Sequence, residues 1–125
     1  MLSLRPYQEE AIKAIRAAWA EGTRRPAAVL PTGAGKTVIF AHLAAQMRPL
    51  GVKSLILAHR DELILQAAAK LRSVAPDLRV GIVKASQRET IRRDVIVASV
   101  QTLARSKGAL EAVARAGVRL VIVDE

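Results

Sequence analysis

The sequence has no cysteine, which excludes a disulfide framework and a thiolate metal site and agrees with an expected cytoplasmic setting. Aromatic residues are almost as scarce: Tyr7, Trp19 and Phe40 are the full set. A protein that holds single-stranded bases by stacking needs more platforms than that. Any nucleic-acid partner is therefore expected to be gripped by its backbone. No apolar run approaches the roughly 18 residues of a membrane span, so no membrane partner is expected. The opening Met1-Leu2-Ser3-Leu4-Arg5-Pro6 lacks the basic-then-apolar layout of a secretory signal. Low-complexity segments and internal repeats are absent too. Acidic residues fall short of basic ones, 11 against 20, leaving a net charge of +9. An excess of this size favours a polyanionic partner, nucleic acid or nucleotide. An Arg-rich surface covered by acidic neighbours would leave the same imbalance.

What is present fits one domain of 125 residues, half of it apolar and rich in Ala, Val, Leu and Ile. Pro6 suits a first helical position, and Ile12, Ile15 and Trp19 recur at helical spacing before Gly22, which predicts a helix over 6–21. Residues 27–30 read as a first buried strand and 36–47 as the helix after it. A second strand is expected at 54–58, a helix at 61–74, a short strand at 79–83, another at 94–98, a short helix near 109–115 and a last strand at 118–123. Strands rich in apolar and β-branched residues and separated by helices predict an α/β fold, a parallel sheet covered on both faces. In such a fold ligands gather at the carboxyl ends of the strands. The polar clusters fall at those ends: 31–37, His59-Arg60-Asp61, 99–102 and Asp124-Glu125.

The segment Pro31-Thr32-Gly33-Ala34-Gly35-Lys36-Thr37 has the order of a phosphate-binding loop, with an apolar run before it and an apolar helical segment after it. Gly33 and Gly35 free the backbone to turn consecutive N–H groups, those of Thr32 to Lys36 among them, toward phosphate oxygens. Lys36 supplies a mobile charge for the β- and γ-phosphates, and the Thr37 hydroxyl is placed for Mg²⁺. Leu30 stands where the general pattern has its first glycine. At the far end of the chain, Asp124 closes a hydrophobic strand and can hold the same Mg²⁺, while Glu125 can orient and deprotonate an attacking water.

Together these elements resemble the first RecA-like domain of a superfamily 2 helicase of the DEAD/DEAH kind, the group that includes restriction-enzyme motor subunits. Leu4-Arg5-Pro6-Tyr7-Gln8 is similar to that family's adenine-recognition motif. The resemblance implies that Gln8 reads the adenine edge, with Arg5 or Tyr7 packed near the base. Residues 31–37 match motif I. Leu57-Ala58-His59-Arg60-Asp61-Glu62-Leu63 with Gln66 looks like motif Ia. Val97-Ala98-Ser99-Val100-Gln101-Thr102-Leu103 resembles a later nucleic-acid-contact motif. Val121-Ile122-Val123-Asp124-Glu125 matches the first half of motif II. The resemblance implies an ATP- and Mg²⁺-dependent hydrolase, with Lys36, Asp124 and Glu125 in catalysis. It implies nucleic-acid contacts at Arg60, Gln66, Gln101 and Thr102, with DNA put ahead of RNA. His59 falls beside Arg60 as a backbone or structural residue. Arg88, Arg92 and Arg93 read as a solvated basic loop, and His42 receives no role.

Two other classes stay open from the residues. One is a P-loop NTPase of another kind, AAA+ or kinase-like. The other is a non-catalytic nucleotide- or nucleic-acid-binding module. The family pattern also continues beyond motif II, through motif III and a second RecA-like domain that residues 1–125 do not contain. There the strand between the phosphate-loop strand and the motif II strand comes after motif II. The expectation is thus an N-terminal fragment with a gap in its sheet, each buried unpaired group costing about 1–3 kcal/mol. A second domain contributes an arginine worth on the order of 10³–10⁵ in rate, so residues 1–125 alone are expected to be a poor ATPase.

Overall fold

The computed structural model describes residues 3–30, 35–84 and 86–124. Helix α1 (Pro6–Ala20) opens on proline, and the Gln8 side-chain oxygen accepts the Arg5 backbone N–H at 2.8 Å. Its buried Ile12 packs with Ile15 and Trp19 against Ile39 and Leu43 of α2 (Lys36–Met47). Strand β1 (Lys53–Ala58) follows, then a 3₁₀ turn at Asp61–Leu63 that runs into α3 (Ile64–Val74). Next come β2 (Val80–Val83), β3 (Val95–Ser99), α4 (Val100–Arg105), α5 (Lys107–Arg115) and β4 (Val118–Val123). None of the helices among the described residues is long and apolar enough to cross a membrane.

The sheet is parallel throughout, in the order β2-β3-β1-β4. Because successive side chains point to opposite faces, Ile56, Val80, Ile82, Val95 and Val97 bury against α2 and α3. Leu55, Val83, Ile96 and Ala98 bury against Ala109 and Val113 of α5. Every residue of β2 and β3 is buried, as the continuous apolar runs demand. On β4 a register shift between Lys53 and Ser54 of its neighbour separates the packing of Val118 from that of Ile122, and Val121 and Val123 stay more than half exposed.

One expected strand is absent. Residues 27–30 join no ladder, and Val29 is 97% exposed. An apolar run becomes a strand only beside a partner, and the outer margin of β4 pairs with no strand among the described residues.

At the amino ends of the strands Asp94 ties the sheet together. Its backbone bonds Ser54 N–H and Arg79 C=O, and its carboxylate accepts from Arg79 N–H (2.9 Å), Arg79 Nη2 (3.1 Å) and Arg79 Nε (3.3 Å). The Arg48 guanidinium lies 3.6 Å away. Burial pushes this carboxyl up, but the hydrogen bonds from Arg79 and the charges of Arg48 and Arg79 outweigh it and hold it below the usual range. A group lowered on folding stabilises above its unfolded value and loses that contribution as pH falls through its folded one. Melts between pH 6 and pH 2 will therefore show a shallower acid loss for Asp94→Asn than for the wild type, with the variant the less stable at pH 6.

The free side of β2 is covered by its own following loop. Glu89 N–H donates to Ile82 C=O at 3.0 Å, and the Glu89 carboxylate takes the Ile82 N–H at 3.0 Å. Val83 and Arg88 form an antiparallel bridge, and Arg93 Nη1 donates to Val80 C=O at 3.1 Å. The arginines expected to form a solvated loop thus include two fasteners: Arg93, and Arg88, which reaches Ser106 Oγ at 3.3 Å. Arg93 is recruited because an open edge offers acceptors that a guanidinium can satisfy, whereas Arg88 ties the loop to the cap of α5.

Candidate nucleotide and nucleic-acid site

Two clusters form where the carboxyl ends of the strands meet the start of α2. In the first, Gly35 takes a left-handed conformation (φ 71°) directly before Lys36 and turns the chain into α2. The Lys36 ammonium lies 3.4 Å from Asp124 Oδ1, across 88 positions of sequence. Asp124 is placed by the sheet, since its N–H donates to Leu57 C=O at 3.0 Å, one step beyond β4. Thr37 is half-buried in the first turn of α2. Gln8, 3% exposed, crosses from α1 to this cluster and donates from Nε2 to Gly35 C=O at 3.3 Å. A β-carbon on Gly35 would stand 2.7 Å from that nitrogen. Gln8, expected to read adenine, thus bolts α1 to Gly35 at the start of α2. Arg5 is exposed at the start of α1. Pro31, Thr32, Gly33, Ala34 and Glu125 lie outside the described residues.

The second cluster joins the loops after β1 and β3. Asp61 Oδ1 accepts hydrogen bonds from Ser99 Oγ and from Thr102 Oγ1 (2.6 Å). Ser99 Oγ in turn caps α4 by accepting Thr102 N–H at 2.9 Å, and Gln101 Oε1 accepts Asp61 N–H at 3.4 Å. The two hydroxyl bonds, Ser99 first, hold the Asp61 carboxyl below the usual range. Arg60 and Gln66 are exposed, and His59, Arg60, Glu62 and Leu63 line an open hollow of about 590 Å³. Thr102, expected at the nucleic-acid surface, is instead 5% exposed with its hydroxyl turned inward. Asp61 and Ser99 are the functional candidates missing from the sequence-based set. No sequence signal marked them, because they meet through the β1–β3 register, in which Ala58 pairs with Ser99 and Asp61 lies just beyond.

Among the described residues no three His, Asp or Glu side chains gather as a metal cage. A hydroxyl at Thr37 and a carboxylate at Asp124 are donors of the kind that fit Mg²⁺, which takes few protein ligands and completes its shell with water and phosphate oxygens.

Fold and site together define a RecA-like domain of a superfamily 2 helicase, a parallel sheet flanked by helices with its polar side chains at the strand ends. The family "Type III restriction enzyme, res subunit" matches residues 1–125, and the chain belongs to it. It is 45% identical over 130 residues to the putative ATP-dependent helicase IRC3 of Saccharomyces cerevisiae, covering 98% of this chain and 18% of that protein. The chain thus spans less than a fifth of that curated relative. Among solved structures, it superposes on a nuclease-deletion mutant of the Type ISP restriction-modification enzyme LlaGI in complex with a DNA substrate mimic. The TM-score is 0.74 at 17% identity, over 99% of this chain and 15% of that one. A hypothetical ATP-dependent RNA helicase from Sulfolobus tokodaii gives 0.68 at 22% identity, over 100% and 38%. These two likenesses show the fold.

Proposed function

We propose that this chain is the ATP-binding part of an ATP-dependent nucleic-acid helicase or translocase, working in the cytoplasm with a second RecA-like domain of the same protein. The observation that carries this reading is the approach of Lys36 to Asp124 at 3.4 Å beside the left-handed Gly35. A cation, a carboxylate and a helix start are the parts a phosphate site needs. Lys36 balances the charge of the β- and γ-phosphates, and Gln8 selects adenine. Thr37 and Asp124 would hold Mg²⁺, whose chemistry is to neutralise charge on phosphate oxygens. Glu125 activates the attacking water. Arg60, Gln66 and Gln101 meet the nucleic-acid backbone, with DNA ahead of RNA.

Titration with Mg-ATP, Mg-GTP and labelled oligonucleotides tests the proposal. The wild type is expected to prefer ATP over GTP by at least about tenfold, and Gln8→Ala to narrow that to within about threefold. A wild-type protein that binds no ATP overturns the reading.

A further inference from the structure

We propose, resting on the nucleic-acid reading above, that Asp61 is a positioning residue whose carboxylate fuses the loops after β1 and β3 and so holds Arg60 toward a nucleic-acid backbone. An Asp at the start of a helical turn ordinarily bonds the N–H groups of that turn. This one reaches across to the neighbouring strand, to Ser99 and Thr102, 38 and 41 positions away. The bonds have one polarity. An ionised carboxylate only accepts, so both hydroxyls donate to it, and the Ser99 oxygen is left to accept Thr102 N–H. The main chain makes a second tie in the opposite sense, with Asp61 N–H donating to Gln101 Oε1.

The consequence falls on the residues in between. Ala58 is fixed in the ladder opposite Ser99, and Asp61 is fixed by three atoms of the 99–102 segment, Ser99 Oγ, Gln101 Oε1 and Thr102 Oγ1. His59 and Arg60 are then a two-residue span anchored at both ends with exposed side chains. A guanidinium held this way surrenders less freedom on meeting phosphate. The Thr102 and Ser99 hydroxyls act through Asp61, buried at 5% and 0% exposure, and do not touch the ligand.

The test uses the full-length protein with Asp61→Ala, Asp61→Asn and Arg60→Ala, singly and combined, against fluorescent single-stranded DNA and RNA oligonucleotides and against Mg-ATP. Both hydroxyl bonds land on Oδ1, an atom that asparagine keeps. Asp61→Ala is therefore expected to weaken oligonucleotide binding about tenfold and Asp61→Asn to restore it to within about threefold of wild type, with ATP affinity unmoved. Arg60→Ala will cost less in the Asp61→Ala background than alone. Additive losses, or an Asp61→Asn as weak as Asp61→Ala, overturn the role. So does a gain in affinity for both variants, which marks a carboxylate that only repels phosphate. A wild type without affinity for either oligonucleotide overturns the functional reading and this role together. Should Asp61→Ala fail to fold, Thr102→Val removes one hydroxyl at constant volume. Faster amide exchange at residues 59–61 in that variant supports the clamp, and unchanged exchange overturns it.

Discussion

Lys36→Ala will abolish the thermal stabilisation that Mg-ATP gives the wild type and lower ATP turnover of the full-length protein by on the order of 10²–10³. The reason is charge placed where phosphate must sit. The Lys36 ammonium lies 3.4 Å from the Asp124 carboxylate, with which it forms an ion pair. Both side chains are 40% exposed, so their pair contributes at most about 0.5 kcal/mol to folding. Comparing each protein with and without Mg-ATP separates any change in folding from loss of the ATP response. At 100 times its dissociation constant ATP stabilises a binding-competent fold by about 2.7 kcal/mol. A Lys36→Ala protein that melts as late with Mg-ATP as the wild type would falsify the assignment of this lysine to phosphate.

Gly81→Ala will destabilise the fold by about 3 kcal/mol, enough to lower Tm by roughly 10 °C. Gly81 lies in the middle of β2 in ordinary extended backbone, so its need for glycine is steric. A β-carbon there would fall 2.1 Å from the Glu89 carbonyl oxygen and 2.8 Å from Arg93 Cγ. The carbonyl is backbone held by the Glu89–Ile82 bonds, and it can retreat only by breaking the cover over β2. Gly108→Ala is the matched control. The atoms nearest its β-carbon would belong to the Arg88 guanidinium, at 3.1 Å and beyond, the far end of a flexible side chain. Replacing a helical glycine gains up to about 1 kcal/mol, so Gly108→Ala will be neutral or stabilising. Equal losses for the two variants in denaturant melts would refute the steric account.

The elements that the sequence made legible are those specified locally. Ile12, Ile15 and Trp19 mark one face of α1, and the apolar runs around Ile56 and Val97 mark strands buried on both sides. Polar residues at strand ends pointed to one end of the sheet, and Lys36 and Asp124 meet there. What stayed illegible depends on partners far away in the chain. Residues 27–30 have the composition of a strand but no neighbour to pair with. Arg93 reads as solvated until β2 is seen to need an acceptor satisfied at Val80. Asp61 reads as a helix opener because the β1–β3 register that brings Ser99 to it is not written in either segment alone.

The loop over β2 also sets the stoichiometry of any unwanted growth. A sheet open along both margins can recruit copies without limit and polymerise into fibres. Here Glu89 and Arg93 shut one margin, and among the described residues the β4 side is the open one, with Val121 and Val123 bare beside it. With one margin shut, the sheet can take up a new strand only beside β4, one at a time.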